Sequence, residues 1–201
     1  NHSRLRPGDI KYRDLNGDGV IDDYDKMPIG FCDIPEITYG FGGAIEWKGF
    51  DVSIFFQGTA RVSLFEEGST IVPFSSGYKN NDGFLRGVME NRWTVDNPDP
   101  NARYPRTIRP SDALDNNNTK KSSFWVRNAA FLRLKNAEIG YTFPKRWMEK
   151  MAIQNLRLYV SGVNLLTWAP DVHLFDPDLG SGDGRKYPPT RVFNVGLNIN
   201  F

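Results

Sequence analysis

The strongest constraint on the fold is the strict alternation in RVFNVGLNINF, the segment from Arg191 to Phe201. One face of this segment is bulky and apolar (Phe193, Val195, Leu197, Ile199 and Phe201), and the other is small and polar (Asn194, Gly196, Asn198 and Asn200). Successive side chains of a β-strand point to opposite faces, so the pattern predicts a two-faced strand. The uncharged polar face and the final aromatic residue favour a strand whose apolar side faces lipid and whose asparagines face a barrel interior.

The same alternation predicts a long hairpin nearer the start of the chain. Apolar residues alternate through 37–48 and again through 50–64, with a tight turn at Lys48–Gly49 between them. Phe55 is the one large apolar residue on the polar face of this hairpin.

Two further strands complete the pattern, at 131–143 and 155–167, and the last strand spans 190–201. The first half of 131–143 has the opposite phase from the second half. A β-bulge near Lys135–Asn136 would reconcile the two halves.

The connections between these five strands alternate in length. Residues 48–49 and 144–154 are short connections, whereas 65–130 and 168–189 are long. Outer-membrane barrels have short periplasmic turns and long external loops. The sequence therefore predicts an all-β fold, an antiparallel up-and-down transmembrane β-barrel segment, in which residues 1–36 and the loop 65–130 are extracellular and 37–201 holds the barrel strands.

Aromatic residues lie near the ends of the predicted strands. The periplasmic rim would hold Trp47, Phe50, Phe143, Trp147 and Phe201, and the outer rim would hold Trp168. Such girdles mark the two membrane interfaces. In the alternative, these rings close the ends of a soluble sandwich.

Composition excludes several other classes. The formal net charge of +1 gives no electrostatic reason to expect a nucleic-acid partner. Aromatic residues reach 13%, yet the mean hydropathy is −0.49, which suits alternating strands. The single cysteine, Cys32, precludes an internal disulfide and is expected to be at least partly buried. Without a cysteine–histidine cluster a zinc site is not expected, and His173 is expected at the surface.

The segment DLNGDGVIDDYD, from Asp14 to Asp25, has the spacing of a calcium-binding loop. Oxygen ligands would come from Asp14, Asn16, Asp18, the Val20 carbonyl, Asp22 and Asp25, with Gly19 at the sharp turn. Because the last ligand is Asp rather than Glu, and Pro28 disfavours a long following helix, the loop resembles that of dockerins. The alternative is a surface turn without an ion.

No residue pattern predicts catalysis, and the chain is not expected to be an enzyme. The acidic pairs Glu66–Glu67 and Asp176/Asp178 are expected to be solvated loop charges. The long loop holds Arg92, Trp93, Tyr104 and Trp125, which suit contact with sugars or peptides, whereas the alternative role is packing against neighbouring loops.

Six segments together resemble the C-terminal region of SusC/RagA-type TonB-dependent outer-membrane transporters. They are GDIKYRDLNGDGVIDDYD, PEITYGFGGAIEWKGFDVSIFFQG, NRWT, FWVRNAAFLRLKNAEIGYTFP, LRLYVSGVNLLTW and FDPDLGSGDGRKYPPTRVFNVGLNINF.

The resemblance implies a barrel of 22 strands with an N-terminal plug, so the chain is expected to be a fragment of a longer polypeptide. It further implies outer-membrane import of glycan or peptide fragments, a SusD-type surface lipoprotein and energy from a TonB complex. Two rivals remain at this point. One is a soluble calcium-stabilised β-sandwich that binds carbohydrate, and the other is a fragment of a secreted hydrolase.

Overall fold

A computed structural model describes residues 5–68, 71, 85–107, 117–148, 153–182 and 184–201. Its strands are β1 (Ile37–Trp47), β2 (Phe50–Ala60), β3 (Ser63–Phe65), β4 (Val126–Asn128), β5 (Phe131–Thr142), β6 (Asn155–Trp168) and β7 (Val192–Asn200). The helices are α1 (Arg86–Glu90) and α2 (Lys145–Met148), with 3-10 turns at Asp23–Asp25, Asn117–Thr119 and Pro177–Leu179.

The chain divides into two compact units. The sheet unit comprises Ile34–Val62, Ala129–Asp178 and Tyr187–Phe201. The loop unit comprises Asn1–Asp33, Ser63–Asn128 and Leu179–Lys186. Each unit is assembled from separate stretches of the chain, so each depends on contacts between residues far apart in sequence.

The sheet unit is one antiparallel sheet in the order β1-β2-β5-β6-β7. These are the five strands that the alternation predicts. The predicted strand 50–64 is too long, because β2 ends at Ala60 and Arg61 has a positive φ of 53° that interrupts the extended backbone. Residues 63–65 form β3, which pairs with β4 in the loop unit.

The two local irregularities predicted for the sheet are confirmed. Lys48 and Gly49 have φ values of 49° and 91°, the left-handed conformations of a two-residue turn that matches strand twist. On β5, Leu134 pairs with Phe56 and Asn136 with Phe55, so Lys135 is the extra residue of a bulge.

The apolar face of the sheet is exposed. Val195 of β7 is 75% exposed and Ile45 of β1 is also 75% exposed. The register continues this face across the sheet, because Val195 pairs with Val160, Val160 with Ile139, and Ile139 with Val52. A large exposed apolar surface is the arrangement expected of a barrel wall and not of one layer in a soluble sandwich.

The polar face is closely packed through glycines. A Cβ atom at Gly196 would lie 2.2 Å from the Tyr159 ring, and one at Gly40 would lie 2.9 Å from the Phe55 ring. Phe55, the exception in the sequence pattern, therefore occupies space left by glycines of β1. An aromatic ring that packs over glycines of a neighbouring strand in this way is known as aromatic rescue.

The loop unit has a buried core of its own. Leu64 and Val88 are 1% exposed, and Tyr104 and Trp125 are 2% exposed. The Trp125 indole N–H donates to the Asn118 carbonyl at 3.0 Å, which satisfies its polar atom inside this core.

Three smaller points complete the fold. Among the described residues, no helix has the length and apolar character needed to cross a membrane. His173 is exposed, as expected. Cys32 is also exposed, so the expectation of an at least partly buried thiol was wrong. It lies in the irregular segment before β1.

Candidate functional site

The segment Asp14–Asp25 folds into a compact acidic loop held by side chain to backbone hydrogen bonds. Gly17 and Gly19 donate their N–H groups to the two carboxylate oxygens of Asp14 at 2.6 and 2.8 Å. Both glycines have positive φ, 79° and 84°, so this turn depends on their conformational freedom.

The far end of the loop closes back on its start. Asp25 accepts hydrogen bonds from the N–H groups of Leu15 at 2.7 Å and Asp22 at 2.9 Å. These backbone donors lower the pKa of the Asp25 carboxyl. The short 3-10 turn Asp23–Asp25 is followed by extended backbone at Lys26, so no helix continues toward Pro28.

All the candidate ligands are hard oxygen donors of the kind that calcium prefers. Among the described residues, no three His, Cys, Asp or Glu side chains form a group suited to hold a metal ion. In this conformation Asp14 and Asp25 instead accept backbone hydrogen bonds from their own loop. Calcium binding by Asp14, Asn16, Asp18, Val20, Asp22 and Asp25 stays a prediction.

The four candidate substrate residues differ in accessibility. Tyr104 and Trp125 are packed in the core of the loop unit, with ring centroids 6.3 Å apart. Arg92 is half-buried and donates to the Met89 carbonyl. Trp93 is half-buried and lines a cavity of about 320 Å³ together with Pro100 and Phe124. Parts of the long loop, at 69–70, 72–84 and 108–116, lie outside the described residues.

Glu66 is the centre of a buried ion cluster that the sequence did not reveal. Its side chain is fully buried and accepts from Arg127 Nε at 2.9 Å, while Arg103 Nη2 lies 3.5 Å from its other oxygen. Burial and the Glu66 charge raise the pKa of the neighbouring Tyr104 hydroxyl. The expectation of a solvated charge at Glu66 was therefore wrong, whereas Glu67 is partly exposed and pairs with Lys121 at 3.0 Å.

Arg133 of β5 is a second buried cation and lies near the end of the sheet away from the short turns. Arg133 is 2% exposed and contacts Asp176 at 2.6 Å, Asp178 at 2.8 Å and Thr167 at 3.0 Å. This pairing ties the segment after β6 to the polar face of β5. Asp176 and Asp178 were expected to be solvated loop charges. That expectation was wrong for Asp176, whose side chain is mostly buried, whereas Asp178 is exposed although it is paired with Arg133. Burial raises the pKa of the Asp178 carboxyl despite the neighbouring Arg133.

The polar face carries a third ion cluster, near the end of the sheet with the short turns. Arg157 of β6 contacts Asp51 of β2 and, at 2.6 Å, Glu138 of β5. Gly140 of β5 lies between β2 and β6, and a Cβ there would lie 2.5 Å from Arg157 Nη2. The only sequence signal for this cluster is the presence of charges on a mostly Gly/Ser/Asn face, and their pairing depends on strand register.

Comparison with known proteins agrees with this architecture. TonB-dependent receptor P26 of Formosa agariphila is 30% identical over 208 residues, which cover 96% of this chain and 20% of that receptor. TonB-dependent receptor SusC of Bacteroides thetaiotaomicron is 26% identical over 205 residues, 98% of this chain and 18% of SusC. No family model matches the chain.

Solved structures show the same fold. The RagAB peptide transporter aligns with a TM-score of 0.63 and 23% identity, over 90% of this chain and 19% of that chain. The RagAB peptide importer in its closed-closed state aligns with a TM-score of 0.64 and 22% identity.

A sheet with one exposed apolar face and one charged, glycine-packed face defines a segment of a transporter-type antiparallel membrane β-barrel. More particularly, the chain is a segment of the SusC/RagA-type family of TonB-dependent receptors. It spans about a fifth of the length of the curated relatives it matches.

Proposed function

We propose that this chain forms part of a TonB-dependent importer of nutrient oligomers, either glycans or peptides, in the outer membrane of a Gram-negative bacterium. The observation that carries the proposal is the exposed apolar face of β7 and its neighbours in a chain whose relatives are TonB-dependent receptors. Its role is transport and not catalysis. Its partners are outer-membrane lipid, a SusD-like surface lipoprotein and a TonB complex that acts through regions outside this chain.

Orientation follows from the lengths of the connections. The short connections Lys48–Gly49 and the one containing α2 would face the periplasm, and residues 1–36 and 65–130 would be extracellular. A protease added to intact cells is then expected to cut the long loop and to spare the hairpin turn. Cleavage at the turn in intact cells would reverse the orientation.

A growth experiment tests the transport role. Deletion of the intact receptor is expected to abolish growth on one class of oligomer, glycan or peptide, while growth on its monomer is unchanged. Restoring the receptor without its lipoprotein partner should restore growth only weakly. Unchanged uptake of every oligomer after deletion would refute the proposal.

We also propose that Asp14–Asp25 binds calcium and orders the segment that leads to β1. The support is the spacing of six oxygen donors along Asp14–Asp25, which matches a calcium-binding loop. A cation would offset the repulsion between the carboxylates when they turn toward one another. Changing Asp14→Ala together with Asp18→Ala should raise hydrogen exchange over residues 10–30 and leave the barrel folded. Chelation of calcium should have the same effect on the parent protein and none on the double variant. A parent protein indifferent to both calcium and chelator would contradict this proposal.

For substrate contact, Trp93 is the candidate that the cavity supports best. Trp93→Ala is expected to weaken substrate binding by the intact receptor. Tyr104→Ala, which removes a buried packing residue, should instead loosen the loop unit. Normal substrate binding by both variants would remove the two residues from the substrate site.

A further inference from the structure

Two turns meet at one edge of the sheet unit. The N–H of Thr142 donates to the Gly49 carbonyl at 2.7 Å, which joins the end of β5 to the β1–β2 turn. The N–H of Phe143 donates to the Leu156 carbonyl at 2.9 Å, which joins the same segment to β6. The residues of α2 follow immediately, so the β1–β2 turn and α2 share this edge.

Aromatic rings form a continuous series along the edge. Ring centroids are 4.6 Å apart for Phe50 and Tyr141, 5.0 Å for Tyr141 and Phe143, and 6.2 Å for Phe143 and Trp147. Trp147 is 51% exposed, and Trp47 at the end of β1 is 65% exposed. The series therefore presents open ring surface where the apolar face of the sheet ends.

Three cations accompany these rings. Lys48 Nζ lies 4.8 Å from the centroid of the Trp47 ring, and Lys145 and Arg146 are exposed on α2. Within the described part of the chain, none of the three forms an ion pair. By contrast, the nearby Arg157 is neutralised by Asp51 and Glu138.

We propose that Trp47, Lys48, Lys145, Arg146 and Trp147, the basic–aromatic rim, bind the headgroup of an anionic phospholipid. Tryptophan rings settle at the level of lipid headgroups, and Lys and Arg extend toward the charged surface. Three exposed cations without an ion-pair partner among the described residues complement a headgroup of net negative charge better than a zwitterionic one. The inference rests on the proposed function, because it requires the apolar face of the sheet to lie in lipid.

The test uses the intact receptor that carries this segment, purified in detergent and titrated with phosphatidylglycerol or phosphatidylethanolamine under native mass spectrometry. The parent protein should retain phosphatidylglycerol preferentially. A triple variant, Lys48→Gln, Lys145→Gln and Arg146→Gln, should lose most of that preference, at roughly five-fold per cation near an anionic lipid. The matched control is Lys11→Gln, Arg13→Gln and Lys120→Gln, which also removes two lysines and one arginine, all exposed in the loop unit, and should keep the preference.

Lipid binding at the rim is supported if the preference for phosphatidylglycerol is lost in the rim variant and kept in the control variant. Equal retention of both lipids by the parent, or an unchanged preference in the rim variant, overturns it. Displacement of phosphatidylglycerol by millimolar inorganic phosphate also overturns it, because the site would then be a phosphate site. A separate experiment tests the proposed function. The parent receptor should be found in the outer-membrane fraction and should migrate differently on gels before and after heating, as a folded barrel does. Failure of the parent to do so would refute the proposed function.

Discussion

The sheet unit and the loop unit distribute apolar side chains in opposite ways. In the sheet unit, Val195 is 75% exposed and its neighbours across the sheet continue an open apolar face. In the loop unit, Leu64 and Val88 are 1% exposed and belong to a buried apolar core. One chain therefore contains a part suited to an apolar solvent and a part suited to water. The mean hydropathy of the whole chain does not distinguish these two parts.

The two units also differ in how they use charge. The Glu66–Arg127 pair of the loop unit is buried, whereas the Arg157 cluster lies partly exposed on the polar face of the sheet. A charge buried in protein has to be paired, while a charge on a solvated barrel interior retains water as an alternative partner. Substitutions should therefore have their largest effects in the loop unit core and on the lipid side of the sheet.

Glu66→Ala is expected to have the largest effect. It leaves Arg127 buried without its partner, which typically costs about 3–5 kcal/mol. The adjacent Glu67→Ala is the matched control and should cost no more than about 1 kcal/mol, because its pair with Lys121 is partly exposed. Hydrogen exchange of the loop unit measures the difference. Equal protection in the two variants would show that burial does not distinguish the pairs.

The apolar face of the sheet is tested by a lysine in the middle of β6. Val160→Lys should cost about 2–4 kcal/mol if the side chain faces mid-membrane, and Ile199→Lys, near a strand end, about 0–1 kcal/mol. Ser161→Lys, on the polar face at the same level, should cost little. Urea unfolding in lipid vesicles measures all three. A larger loss for Ser161→Lys than for Val160→Lys would assign the faces the other way round.

Glycine packing on the polar face gives a smaller effect. The Cβ of Gly196→Ala would meet the Tyr159 ring at 2.2 Å, and overpacking of this kind costs about 1–3 kcal/mol. Gly43→Ala is the control, because no atom lies within 4 Å of its Cβ. The same unfolding assay is used, and identical midpoints for the two variants would mean that Tyr159 moves aside freely.

The smallest expected effect is a pH dependence at Asp178. Burial raises the pKa of this carboxyl in the folded protein. Between the unfolded value of about 3.9 and the raised folded value, the folded state binds the proton more tightly, so stability increases as pH falls through that window. Asp178→Asn should remove this slope in a titration of thermal stability. If the stability of the parent protein decreased as the pH was lowered through this window, the expected pH dependence would be wrong.

Local pattern was sufficient to predict the sheet. The strands, the Lys48–Gly49 turn and the bulge at Lys135 depend on alternation and its phase, which can be followed along a single stretch of chain. The end of β2 was missed because Arg61 leaves the extended conformation within an uninterrupted apolar pattern.

The ion clusters could not be predicted for a different reason. Glu66 and Arg127 lie 61 residues apart, and Asp51 and Arg157 lie 106 apart. Their pairing depends on the fold of the loop unit and on the register between strands. Neither can be predicted to the exact residue from a single sequence. The calcium spacing is local and so was visible, but spacing alone does not decide whether the carboxylates bind an ion or their own backbone.

Spin-label accessibility along β7 shows whether the apolar face of the sheet lies in lipid. Single cysteines from 192 to 200 are introduced in the intact receptor with Cys32→Ser, labelled and measured in lipid vesicles. Labels at Phe193, Val195, Leu197 and Ile199 should be accessible to membrane-dissolved oxygen, and labels at Asn194, Gly196, Asn198 and Asn200 should not. Equal accessibility of both sets to a water-soluble nickel complex would contradict it.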